Sequence, residues 1–120
     1  PCSAEGNIRN QEELPRERDM EEIRSLSKLQ ERLLEKGLKL CKEGGTIVYS
    51  TCTFAPEENE HVVSNFLKRA ELKQIDPDFD HSHGITHWKG EEFSSQMKKC
   101  VRVYPHQLDS GGVFVAKFEK

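Results

Sequence analysis

The chain has 120 residues, 34% hydrophobic and 32% charged, which is enough for one small core and no more than one domain. Its 18 Lys and Arg against 21 Asp and Glu leave a formal net charge of −3, so no polyanion-binding field spreads over the whole surface. No run of about 18 apolar residues occurs, which excludes a helical membrane span.

Residues 1–18 read as loop, with Gly6, Asn7, Asn10 and Pro15 and a charged Arg16-Glu17-Arg18 run expected on the surface. The opening Pro1-Cys2-Ser3, a tight-loop sequence with no initiating methionine, reads as the interior of a longer chain. Residues 20–42 carry the strongest helical period: Ile23, Leu26, Leu29, Leu33 and Leu34 recur at spacings of three and four, with Leu38 and Cys41 extending the stripe. Asp19 is positioned as its N-cap, Glu22 three residues on completes a capping box, and Gly44-Gly45 is expected to end it. Thr46 to Ser50 is a β-branched run and reads as a buried strand. Helix, glycine pair and strand in succession are the grammar of an α/β layer protein.

Pro56 then suits the first position of a second helix, expected over residues 57–70, with Glu57, Glu58 and Glu60 at the positive end of its dipole and Val62, Val63, Phe66, Leu67 and Ala70 on its apolar face. Leu72 to Ile75 reads as a short strand and residues 76–97 as irregular. Cys100 to Tyr104 alternates and reads as a strand. Val113 to Phe118 is the last strand, and the short link through Ser110-Gly111-Gly112 favours antiparallel pairing of the two. From His81 onward bases outnumber acids, whereas the preceding segment is acidic.

The four cysteines, Cys2, Cys41, Cys52 and Cys100, form no C-x-x-C pair and are too sparse for a disulfide scaffold. We read them as reduced and the protein as cytoplasmic. Cys41, on the helix stripe, and Cys100, at a strand start, read as packing residues. Cys52 sits where a strand hands over to a helix, the edge of an α/β sheet at which ligands bind; an inert buried thiol is the competing reading. Cys2 lies in a loop of small residues that lets backbone approach a ligand. Asp76, Asp78, Asp80, His81, His83 and His87 match no common metal-ligand spacing, so no metal is expected. Lys98, Lys99, Arg102 and His106, in the basic C-terminal segment, are the expected local basic surface for phosphate groups. Two other classes stay open on the residues: a noncatalytic α/β interaction module, and a thiol or metal-binding protein.

Three blocks go beyond generic pattern. PCSAEGNIRN, LQERLLEKGLKLCKEGGTIVYSTCTFAPEENEHVVSNFL and CVRVYPHQLDSGGVFVAKFEK resemble the RNA (cytosine-5) methyltransferases of the Sun/Fmu family, the last block being most similar to the tRNA-modifying branch. The resemblance implies a Rossmann-like domain that uses S-adenosylmethionine to methylate carbon 5 of cytosine in RNA, in tRNA rather than rRNA. It implies that Cys52, in the T-C motif, is the nucleophile that adds to carbon 6, and that Cys2, in the P-C motif, assists release of the adduct. An N-terminal helix dipole would favour the Cys52 thiolate and nearby glutamates would oppose it. The family's base-contacting aspartate, glycine-rich cofactor loop and ribose-binding acid match nothing in this chain. The chain therefore reads as the C-terminal half of a catalytic domain, inactive alone, with its cofactor residues and first four strands expected upstream of Pro1. Ala4 stands where the family often has Gly. The resemblance also implies a mixed sheet whose last strand, Val113 to Phe118, lies between Thr46 to Ser50 and Val101 to Tyr104 and antiparallel to both. The outer edge of Thr46 to Ser50 would then be open and prone to self-association.

Overall fold

The structure, a computed structural model, describes residues 1–10 and 17–120; Pro15 and Arg16 of the expected N-terminal loop lie outside the described residues. Part of that loop is ordered as a 3-10 turn over Glu5–Asn10. Helix α1 (Met20–Leu40) begins at Asp19, whose carboxylate accepts from the backbone N–H groups of Glu21 and Glu22. It ends earlier than expected, with Cys41 as an extended C-cap. Gly44, with φ +73°, serves the turn into the first strand rather than the helix end.

Strand β1 is Thr46–Thr51. Helix α2 (Glu60–Ser64) is much shorter than the expected 57–70. Residues 56–59 and 65–69 are turns, and the side chains of Glu58, Asn59 and Glu60 are buried. Strand β2 (Glu71–Lys73) comes next. The segment read as irregular contains β3 (Ser82–His83), a hairpin of β4 (His87–Trp88) and β5 (Glu91–Glu92), and a 3-10 turn over Ser95–Lys99. The hairpin's two loop residues, Lys89 and Gly90, have φ of 46° and 80°, the left-handed pair that matches strand twist. Strand β6 (Val101–Val103), a four-residue helix α3 (Pro105–Leu108) and β7 (Val113–Glu119) complete the chain.

The last strand is central, as expected. β1 pairs antiparallel with β7 along its whole length, Thr46 opposite Glu119 through Thr51 opposite Phe114. The other side of β7 is shared by β2 and β6, both antiparallel, and β3 extends the sheet beyond β6. Phe114, Ala116 and Phe118 alternate toward α1 and α2, and with Leu34, Leu38, Val62, Val63, Phe66 and Leu72 they make the core. The opposite face of the sheet carries Val48, 60% exposed, and Lys117.

The buried stripe of α1 is rotated from the expected one. Ile23, Ser27, Gln30, Leu34 and Leu38 are buried, while Leu29 and Leu33 are 38% and 48% exposed. Two polar residues displace two leucines because the site below uses them: Ser27 Oγ donates to the Glu57 carbonyl and Gln30 Nε2 donates to the Pro1 carbonyl.

Candidate active site

Fifty residues apart in sequence, Cys2 and Cys52 meet: their Sγ atoms are 2.8 Å apart. Each loop is held from both ends. Gly6 N–H donates to the Cys52 carbonyl at 2.8 Å and Gly112 N–H to the Gly6 carbonyl at 2.8 Å, so backbone alone stitches the start of the chain, the end of β1 and the start of β7 together. A Cβ on Gly6 would lie 2.5 Å from the Gly112 oxygen and 2.7 Å from the Cys52 oxygen. Only glycine permits this approach.

The side chains of Thr51 to Glu60 complete the clamp. Thr51 Oγ1 donates to Asn59 Oδ1, and Asn59 Nδ2 donates back to the Thr53 carbonyl at 2.9 Å. Glu58 is fully buried. It accepts from Ser3 N–H at 3.0 Å, from Ser3 Oγ, and from Gln30 Nε2 at 2.8 Å. Charge-assisted bonds of this kind are the strong ones, and here they fix the Cys2 loop against the Cys52 loop. Ala4 completes that loop with φ 56°, a left-handed conformation that explains why a glycine suits this position.

Cys52 is exposed, Cys2 half-buried and Cys100 fully buried. The hydrogen bond with Cys2 holds the Cys52 thiol above its ordinary range, reinforced by partial burial and by the nearby Glu58 carboxylate; its own backbone N–H acts the other way. No helix begins at Cys52, so the expected dipole assistance is absent and the opposing groups win. Burial pushes the core thiol of Cys100 up to about 12, consistent with a packing role, and Cys41 sits half-buried at the end of α1. Pro1, Ala4, Ser50, Thr51 and Val113 line an open cleft of about 450 Å³ around the two sulfurs. Among the described residues no group of three or more His, Cys, Asp or Glu side chains is placed to hold a metal ion.

The four basic residues expected on the surface separate. Arg102 departs from that expectation. It is 3% exposed and its guanidinium grips Glu60 through Nε to Oε1 at 2.7 Å and Nη2 to Oε2 at 2.5 Å, with Nη1 donating to the Phe54 carbonyl. Burial opposes its charge, and the Glu60 carboxylate more than offsets that. An arginine between two valines on a strand reads as solvent-facing only when the opposite partner is unknown. Lys99 is tied by its ammonium to the Leu72 carbonyl at 2.9 Å. Lys98 and His106 are exposed, and the His106 ring stacks on Tyr104, which stacks on Phe54. Gln30, Glu58, Asn59 and Glu60 are functional supports that the pattern reading missed. The signal was there in the polar interruption of the α1 stripe and in the acid run directly before Val62-Val63.

An α/β layer with a central antiparallel last strand thus carries a thiol pair at the end of β1. Residues 1–119 match the family model described as 16S rRNA methyltransferase RsmB/F, and the chain belongs to that family. It is 34% identical to a tRNA (cytosine(49)-C(5))-methyltransferase of Pyrococcus abyssi, over all of this chain and 39% of that protein. A methyltransferase homologue from Pyrococcus horikoshii has a solved structure that superposes with a TM-score of 0.81 at 37% identity, over all of this chain and 36% of that one. NSun6 from the same organism, solved with SFG, superposes with a TM-score of 0.80 at 32% identity, over all of this chain and 28% of its own. The chain thus spans about two fifths of the length of the curated relative.

The glycines beside the thiols are packed within the chain itself, Gly6 against Cys52 and Gly112 against the Phe54 ring. The buried carboxylate beside them, Glu58, is occupied by Ser3 and Gln30.

Proposed function

We propose that this chain is the C-terminal part of a catalytic domain that methylates carbon 5 of cytosine in RNA, tRNA in particular, through a covalent adduct at Cys52. The observation that carries it is the 2.8 Å approach of Cys2 and Cys52 Sγ, clamped by Glu58, beside an open cleft. The tRNA activity named for the Pyrococcus abyssi relative supports the substrate class. S-adenosylmethionine is the methyl donor on this reading, which the relative solved with SFG supports; it supplies an electrophilic methyl group. Among the described residues no helix is long and apolar enough to cross a membrane, and the free thiols fit a reducing, cytoplasmic setting.

Cys52, exposed at the mouth of the cleft, attacks as the thiolate. Its sulfur bonds carbon 6, and the electron pair of the 5,6 double bond moves to carbon 5, making that carbon nucleophilic. After methylation a base removes the carbon-5 proton, the double bond re-forms, and the carbon–sulfur bond breaks to return the thiolate. Splitting one hard substitution into addition and elimination is the advantage of covalent catalysis. Cys2 lies against the sulfur whose bond must break and assists that release. Lys98 and His106 face the RNA.

That the piece belongs to a larger domain is supported by three features of one side. β1 pairs with no strand but β7 among the described residues, Leu33 and Val48 are exposed beside it, and Gln30 Oε1 is buried there with no hydrogen-bond partner. The piece alone is then inactive.

The test uses the full-length protein and a tRNA transcript. Cys52→Ala abolishes the covalent protein–RNA species. Cys2→Ala lets it form and accumulate. Adduct formed by Cys52→Ala and lost in Cys2→Ala reverses the assignment, and adduct in neither wild type nor variants refutes the reading.

A further inference from the structure

On the far side of Phe54 from the thiols lies a second cavity, of about 780 Å³, and we propose that it receives an unpaired nucleotide of the substrate RNA that flanks the cytosine at Cys52. The inference rests on the reading of this protein as an RNA methyltransferase. The Phe54 ring packed on Gly112 is the wall between the two linings. Phe54 follows Cys52 by two residues, its ring edge lies against Gly112, and its face stacks on Tyr104 with centroids 5.5 Å apart. Val113, next to Gly112, lines the thiol cleft, whereas Phe54 and Tyr104 line the larger cavity together with Ile85 and Trp88. A strand whose target base enters the cleft must carry its neighbours past this wall.

The chemistry of the lining selects a nucleotide. Ile85, Trp88 and Tyr104 supply the apolar and aromatic surface against which a base packs regardless of its identity, and cationic groups supply the phosphate partner. Lys98 lies on the lining, is exposed, and makes no ion pair among the described residues. Arg18 bonds both nearby acids, Glu5 at 2.9 Å and Glu57 at 3.1 Å, and offsets one of their two charges. The volume falls within the range of about 300–1,000 Å³ usual for small-ligand clefts.

The walls are also set before any ligand arrives. Trp88 Nε1 donates to Glu57 Oε1 at 3.1 Å, and the indole lies within cation–π reach of Arg18 and Lys89. Ile85 N–H donates to Glu60 Oε1 at 2.9 Å, tying the floor to the buried Arg102–Glu60 pair. A rigid site loses little entropy on binding. The hairpin β4–β5, which the sequence pattern left as irregular, exists to present Trp88 at this position.

The experiment is steady-state methylation by the full-length protein of an unmodified tRNA transcript carrying single abasic substitutions at the two positions on either side of the methylated cytosine. One abasic position should raise KM about 5- to 50-fold with kcat within about twofold, the range a lost base stack produces. Trp88→Ala should raise KM on the intact transcript by a similar factor and make that abasic position silent. Lys98→Ala, a change on an exposed side chain that leaves the fold alone, should lower the slope of log KM against log salt by about 0.7. Additive losses for Trp88→Ala and every abasic position, or an unchanged salt slope in Lys98→Ala, overturn the inference. Adduct at Cys52 without this coupling overturns it while leaving the proposed function standing; no adduct with any transcript overturns the proposed function itself.

Discussion

Glu58 and Glu60 stand two residues apart, both fully buried, and the molecule treats them in opposite ways. Glu58 faces neutral donors, a backbone N–H, a serine hydroxyl and a glutamine amide, and with them holds the Cys2 loop against the Cys52 loop. Glu60 faces a guanidinium in a two-point grip and the Ile85 N–H, and with them holds β6 and the cavity floor to the same turn. A buried carboxylate without partners is costly. Charge pairing solves that problem where rigidity is wanted, and neutral donors solve it next to the thiols, where a fixed cation would alter the charge at the reacting sulfur. One short turn thereby serves as a structural anchor on one side and a positioning device on the other.

Removing the cation should hurt stability most. Arg102→Ala should cost about 3–5 kcal/mol in urea unfolding of the full-length protein, because it strands the Glu60 charge in the interior. Arg102→Met combined with Glu60→Leu should cost less than Arg102→Ala alone. A loss under about 1 kcal/mol for Arg102→Ala would place Glu60 in the same category as Glu58. On the other side, Glu58→Gln keeps the shape but turns one acceptor into a donor facing Ser3 and Gln30. It should cost about 1–3 kcal/mol and slow adduct formation at Cys52 about 10- to 100-fold, since loosely held reacting groups lose effective concentration. An unchanged adduct rate would deny Glu58 its positioning role.

The thiol pair tests the electrostatic half of the contrast. The Cys52 thiol is held above its ordinary range, first by its bond with Cys2. Its alkylation by iodoacetamide should therefore be slow at neutral pH and keep rising past about 8.5, where a free thiol begins to level off. Cys2→Ala removes the largest cause, so the Cys52 profile should move to lower pH and alkylation at pH 7.5 should become a few fold faster. A profile that moves upward in Cys2→Ala would contradict the geometry. The open β1 edge offers the opposite of the sealed turn. The 120-residue chain made alone should self-associate through it, and Val48→Lys should shift sedimentation toward monomer; a monodisperse monomer without the substitution would contradict this. The smallest effect is at Ala4. Ala4→Gly relieves the left-handed conformation at some cost in unfolded-state entropy, for a net gain of about 0.5 kcal/mol in the unfolding midpoint; a loss of 1 kcal/mol would show that the methyl group packs.

Local pattern was enough to read the strand Thr46 to Ser50 and the last strand Val113 to Phe118, because both are β-branched runs bounded by glycine, and enough for the start of α1, because Asp19 caps it within three residues. The family resemblance in PCSAEG and GGTIVYSTCT singled out both thiols before any geometry was known. What sequence periodicity misjudged has one cause. The hydrophobic period runs the α1 stripe through Leu29 and Leu33 instead of Ser27 and Gln30, and the basic C-terminal segment puts Arg102 on the surface, in both cases because a polar side chain is taken to face water. Its actual partner lies far along the chain: Gln30 with Pro1 and Glu58, Ser3 with Glu58, Arg102 with Glu60. Hydrophobic period reports what a residue contributes to the core by itself. Whether a charge or amide is buried depends on a partner supplied by another element, and only the folded arrangement of β1, β6, β7 and the first six residues brings those partners together.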